Sequence, residues 1–216
     1  MIEKQLSLKH YIALAILLLA ALVASFQPLE FDSYLLHQAG TVLMLIALFI
    51  SIKKIGISFL SFCLYLSFLF IHIIGAHYLY SHVPYNEWIA KLFNFDLDQT
   101  MGWSRNMYDR LVHFAYGVLL YPFFYRCFQV WFPTATPFTL FLLVIQFVMA
   151  SSMVYELLEW GLSIGLSPED AENYNGQQGD MWDAHKDMFL ATVGAILIGI
   201  IQLYKEKLLS ENKSLT

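Results

Sequence analysis

The sequence predicts an all-α fold, a polytopic membrane bundle of six transmembrane helices with both termini cytoplasmic. Three observations predict it. Hydrophobic residues make up 58% of the 216-residue chain and charged residues only 13%, about half the charged share of a soluble domain. Six apolar stretches approach or exceed the ~20 residues that a helical crossing needs. The basic residues gather at alternate turns, as a chain weaving through a bilayer requires. Residues 1–216 therefore read as one transmembrane domain, with no polar segment large enough to fold alone.

The first stretch, about 10–27, follows Lys4 and Lys9 and stops at Gln27-Pro28. A secretory signal has the same order of charge and apolar run, but "LVASF" is a poor cleavage site, which favours an uncleaved span. The second, 34–52, is closed by Lys53-Lys54 and Gly56. The third, 56–79, ends ahead of Pro84, and the fourth, 110–132, at Pro133. The fifth, 137–162, begins on Pro137 and ends before Ser167-Pro168. The sixth, 184–204, runs into Lys205 and Lys207. Proline and glycine punctuate each boundary, and no run alternates as a barrel strand would.

Lys4, Lys9, Lys53, Lys54, Arg126, Lys205, Lys207 and Lys213, eight of the 12 basic residues, fall on one side, which the positive-inside rule makes cytoplasmic. The other side collects 14 of the 17 acidic residues, so the net charge of −5 hides two opposed faces. The longest loop, about 80–108, contains "YNEWIAKLFNFDL" and suits an amphipathic segment lying in the interface. The basic residues are few and dispersed without interleaved aromatics, so nucleic acid is not an expected partner. Cys63 and Cys127 lie inside spans at unrelated spacing and read as packing residues.

The titratable residues of four spans converge on the outer leaflet. Asp109 and His113 are four apart at the start of the fourth span and share a helix face. Glu156 and Glu159 are three apart near the end of the fifth. Asp183 and Asp187 are four apart at the start of the sixth, in "GQQGDMWDAHKDM". His72 and His77 end the third span but, five apart, cannot point the same way. Carboxylates this dense repel at low dielectric unless a cation, a shared proton or an arginine neutralises them. Mixed Asp, Glu and His ligands suit Zn²⁺, Mn²⁺ or Mg²⁺.

Asp109, His113, Glu159 and Asp187 are the expected metal ligands. Glu156 or Asp183 is the expected general base, and Arg110 the group that holds an anionic head. His72 and Asp180 are secondary candidates. A purely structural reading stands beside this one, in which the acid–Arg–His network binds helices together. Asp180 and Asp183 also suit the cap of the sixth helix, whereas Asp187 lies a full turn deeper, where capping cannot reach. Trp160 and Trp182 fit the interfacial aromatic belt. His37, His77 and His82 read as satisfied interfacial histidines, and Glu169, Asp170 and Glu172 as a solvated acidic loop. Gly194 and Gly199 flank a small-residue face suited to close helix packing.

The segments "RNMYDRLVHFAYG" (105–117), "YELLEW" (155–160) and "GQQGDMWDAHKDMFLATVGA" (176–195) resemble the YjdF family of bacterial inner membrane proteins. The resemblance covers roughly 100–200 and is distantly similar to VanZ-like membrane proteins. It implies an inner-membrane location and a shared polar set of Asp109, Arg110, His113, Glu156, Glu159, Asp180, Asp183 and Asp187, and it supplies no reaction. The leading expectation is a metal-dependent hydrolase or transferase acting on a lipid or lipid-linked envelope substrate. No Ser-His-Asp or Cys-His arrangement competes with metal-activated water. The alternatives are a cation or lipid head-group binding or transport protein, and a structural subunit of an envelope complex. Against transport, the polar residues stop halfway through the spans and no inverted repeat is visible.

Overall fold

The computed structural model describes residues 1–167, 171 and 174–214. Pro168, Glu169, Asp170 and Glu172 lie outside the described residues. The chain is helical, in the order α1 (Leu8–Ala24), α2 (Phe31–Lys54), α3 (Phe59–His77), two short helices α4 (Tyr85–Phe93) and α5 (Leu97–Met101), then α6 (Tyr108–Trp131), α7 (Pro137–Gly165) and α8 (Asp183–Ser214). Five of these, α2, α3, α6, α7 and α8, are long and apolar enough to cross a membrane. α1 has 17 residues, a length of about 26 Å, slightly under the ~30 Å hydrocarbon core.

The element boundaries follow from local chemistry. The hydroxyl of Ser58 accepts from the Ser61 amide and starts α3, and that of Thr136 accepts from the Thr139 amide and starts α7, with Pro137 as its first residue. The Asp96 carboxylate caps α5, and Gly102 closes it in the left-handed conformation. The long loop is thus two helices, joined by Asn86, whose side-chain oxygen accepts from the Leu97 and Asp98 amides. α4 keeps Leu92 and Phe93 exposed, as an interfacial element would.

Two ends of the bundle can be told apart by their bonds. At one end β1 (Ile2–Glu3) pairs antiparallel with β2 (Ile57–Ser58). This two-residue ladder ties the N-terminus to the α2–α3 turn; runs so short leave no alternation for a sequence reading to detect. Arg126 donates to the carbonyls of Ile55 and Gly56 at the same end. Tyr125 there donates to Glu206 at 2.6 Å. At the opposite end the Leu29 amide donates to the His77 carbonyl, and Asn106 donates to the Val83 carbonyl.

α6 is the hub, packing on α3, α7 and α8. One core cluster joins α1, α2, α3 and α6 through Leu48, Phe62, Leu69 and Leu120; a second joins α6, α7 and α8 through Tyr121, Val144, Val148, Ala191 and Ala195. Cys63 and Cys127 are both free, the second buried.

Candidate functional site

The polar cluster sits at the end opposite the β ladder, where α6 and α8 cross closely. Asp109, His113 and Gly117 recur every four residues on α6, and Asp187, Ala191 and Ala195 do so on α8, so each set forms one stripe. A Cβ on Gly117 would overlap the Ala191 carbonyl oxygen, and one on Gly194 would overlap the Phe114 carbonyl oxygen. Small residues thus let the two backbones meet. The same two stripes that make this contact carry Asp109, His113 and Asp187, which brings Asp187 close to His113. Gly194 serves the packing expected of it; Gly199 faces the Phe141 ring of α7 instead.

One ligand atom each from Asp109, His113 and Asp187 lies within 4.8 Å of the others. His113 Nε2 stands 3.7 Å from Asp109 Oδ1 and 3.7 Å from Glu156 Oε1. Asp187 is only 2% exposed, and Asp109 and His113 are also buried. Asp187 Oδ1 and Glu156 Oε1 are buried without a hydrogen-bond partner among the described residues. A buried polar atom left unpaired costs about 1–3 kcal/mol, and more if charged. Donors at about 2 Å from a tetrahedral ion stand roughly 3.3 Å apart; the His113–Asp109 pair at 3.7 Å is near that spacing, and the whole group, within 4.8 Å, would have to draw in to hold one. Glu159 lies outside the three-residue group. It lines a cavity of about 280 Å³ between α7 and α8, together with Glu156, Asp183, Asp187 and Asn175.

Above this cluster lies a second, salt-bridged layer. Asp183 Oδ1 takes Arg105 Nη1 at 2.6 Å and Arg110 Nη2 at 3.3 Å. Asp180 Oδ2 takes Arg110 Nη2 and, at 2.6 Å, Lys186 Nζ. Arg105 also donates to the carbonyls of Gly176 and Gln177. Gln178 bonds the backbone amide and carbonyl of Asn106. These bonds lash the segment before α6 to the turn before α8, which Gly176 and Gly179 form at positive φ. Arg110 is therefore charge-paired within the protein, and Asp183 is held by two guanidiniums. In the sequence Arg105 is marked only as a second arginine five residues before Arg110.

Asp180 caps in part, since its Oδ1 accepts from the Trp182 amide at 3.1 Å. It bridges more. The Lys186 ammonium first, then the Trp182 amide and the Arg110 guanidinium, hold its carboxyl well below the usual carboxylate range. A carboxyl depressed on folding stabilises the protein above its unfolded pKa of ~3.9 and loses that contribution as pH falls through the folded value. Asp180→Asn is thus expected to melt lower than the wild type at pH 7 in detergent, and the gap should close below about pH 4. A gap that is constant with pH would remove the charge from this explanation.

His72 meets the cluster from the other side. Its Nδ1 is bonded to the Tyr80 hydroxyl, and its Nε2 lies 3.2 Å from the His37 carbonyl. The carbonyl can only accept, so Nε2 carries the proton and Nδ1 accepts from the phenol. Both nitrogens are committed, so His72 positions Tyr80. Leu79 and Tyr80 have φ of 52° and 54°, a strained pair that folds the Tyr80 ring back over Gly75. His37 and His77 each bond a backbone carbonyl through Nδ1, of Ser33 and Ala24 respectively.

Comparison with known proteins bears on this arrangement. Residues 9–207 match the family described as predicted membrane protein, DUF2238. The inner membrane protein YjdF of Escherichia coli (strain K12) is 32% identical over 127 residues, which cover 57% of this chain and 54% of that protein. The match thus spans about half the length of the relative. No solved structure matches the chain. Several apolar helices and this kinship make the molecule a multi-pass membrane protein, like its relative of the bacterial inner membrane.

Proposed function

This chain belongs to the DUF2238 family of predicted membrane proteins, and we propose that it is a divalent-metal-dependent hydrolase or group transferase acting on a lipid or lipid-linked envelope substrate. The observation that carries the reading is the buried Asp109–His113–Asp187 group, beside which Asp187 Oδ1 and Glu156 Oε1 have no hydrogen-bond partner among the described residues. Two carboxylates and an imidazole suit Zn²⁺ or Mn²⁺; Mg²⁺ prefers oxygen ligands and keeps its waters. A bound ion would supply Lewis acidity and an acidified water. Glu156, placed 3.7 Å from His113 and without an arginine partner among the described residues, would serve as the general base and hold the proton at a carboxylate oxygen. Glu159 takes no ligand role in this reading, and Asp183 and Arg110 hold the roof. The test is the divalent metal content of detergent-purified protein. About one chelatable ion per chain is expected; a metal-free protein that also takes up none on titration would overturn the reading.

The site would then face outward. We read the bundle as six crossings, with α1 the shortest, and both termini cytoplasmic. Support comes from the β ladder and from Arg126, which gather the N-terminus, the α2–α3 turn and the end of α6 at the basic end. A reporter fused after Asn175 should behave as extracytoplasmic and one after Lys207 as cytoplasmic. The reverse pattern at either point would place the carboxylates on the wrong side for an envelope substrate.

A structural role is favoured by a separate observation, and for separate residues. Arg105, Arg110, Lys186, Asp180 and Asp183 form a mutually paired network. Every member is ion-paired, with one positive charge in excess, and the network ties the start of α6 to the start of α8, as helix-binding glue would.

A further inference from the structure

A cavity of about 310 Å³ reaches the metal-ligand group from the side opposite the roof, and its walls come from α2, α3, α6 and α7. Its polar end carries Asp109, His113 and Tyr80, and its deeper part Leu43, Met44 and Phe68. Along α6 it extends from Asp109 to Tyr116, a rise of about 10 Å. α2 packs on α3, and α7 packs on α6 and α8, but no substantial contact joins α2 to α7. These two helices are therefore the rims of a sideways opening. Their outer faces are apolar and exposed, with Val42 and Ile46 on one and Phe147 and Val154 on the other, so the opening gives onto hydrocarbon. Gly40 stands on the rim, and a Cβ there would meet nothing within 4 Å. Ser152, 3% exposed, lines the cavity with a hydroxyl that has no hydrogen-bond partner among the described residues.

We propose that this cavity takes one hydrocarbon chain of a membrane lipid, entering between α2 and α7 and bringing the polar end of the lipid to Asp109 and His113. The volume decides one chain over two. It equals that of about ten waters, at the small end of ligand cavities, which holds the upper segment of a single chain and no more. The gradient from the Asp109 carboxylate, His113 and the Tyr80 phenol to Phe68 and Met44 matches an amphiphile with its head toward the interface. Ser152 offers a hydrogen bond to an ester or hydroxyl oxygen part-way down. Tyr116 and Ser151 are already bonded to each other at 2.7 Å and serve as wall. The inference deepens the proposed reaction by naming its substrate class, and it rests on that reading for the chemistry but not for the binding.

The experiment uses full-length protein in vesicles of phosphatidylglycerol with a diazirine on one acyl chain. After irradiation, cross-links are mapped by residue, and metal content is measured on the same samples. Val112 is 6% exposed and lines the cavity, whereas its neighbour Leu111 is 49% exposed. Labelling of Val112, Tyr116 and Phe68 is expected in the wild type, with at least a ~5-fold fall in Gly40→Trp and unchanged metal content. Labelling confined to outward residues such as Leu111 and Val42 would overturn the proposal from the wild type alone, whether or not the variant folds. Persistence of the Val112 and Tyr116 labels in a folded Gly40→Trp protein would overturn it too. Buried labelling in a protein that binds no metal would leave the lipid cavity standing and remove the metal-dependent reaction.

Discussion

Asp187→Asn is expected to abolish divalent metal binding and leave the protein folded and inserted. The substitution keeps the shape of a side chain that is 2% exposed and removes one negative charge from a group that includes Asp109 and His113. Losing a group that merely orients a ligand costs up to about 100-fold in affinity, so losing a ligand should cost more. The sign of the stability change separates this account from a structural one. Three crowded carboxylates, Asp109, Glu156 and Asp187, repel when no cation lies among them. Metal-free Asp187→Asn should therefore melt at the wild-type temperature or above it. Wild-type protein should gain about 2.7 kcal/mol from metal at one hundred times its Kd, whereas the variant should gain nothing. If the cluster were glue alone, Asp187→Asn would melt lower and metal would shift neither protein.

Gly117→Ala should be the most damaging small substitution in the molecule. The added methyl would overlap the Ala191 carbonyl oxygen and press on the Ala195 amide. Those are backbone atoms, so no rotamer relieves the clash, and α6 and α8 must separate. Overpacking of this kind costs about 1–3 kcal/mol or more. Because His113 lies one turn from Gly117 on the same stripe, separation would also draw it from Asp187, and metal affinity should fall together with melting temperature. Gly161→Ala is the matched control. It is also helical, but a Cβ there meets nothing within 4 Å, and alanine favours a helix over glycine by about 1 kcal/mol. Melting in detergent and metal content, measured on both variants, check this; equal behaviour of the two would refute the close crossing.

Helical periodicity made part of the site legible. Asp109 with His113, and Asp183 with Asp187, are four apart, and a helix places such pairs on one face whatever surrounds it. Periodicity could not choose between Glu156 and Glu159, which differ by about 60° around α7; packing against α6 sets Glu156 3.7 Å from His113, although both glutamates line the α7–α8 cavity. Nor could it show that Arg110 and Asp183 are committed to one another across 73 positions, since ion pairing between distant segments leaves no local pattern. Tyr80 was hidden for a different reason. Two successive residues at positive φ reverse the chain after α3, and neither is glycine, the residue that normally signals such a turn. The helices behind the apolar stretches were legible to within a few residues at most of their ends. α8 runs on to Ser214, some ten residues past the apolar stretch, because the polar residues there are good helix formers.

Cobalt(II) titration of metal-depleted protein in detergent tests the central claim most directly. Cobalt takes the same nitrogen and oxygen donors as zinc, and its visible absorption reports their number and geometry. A saturable band of four- or five-coordinate intensity is predicted at one equivalent, absent in His113→Ala and in Asp187→Asn, and retained in Asp180→Asn. A spectrum no different from hydrated cobalt, or a band that survives loss of both His113 and Asp187, would contradict the metal site.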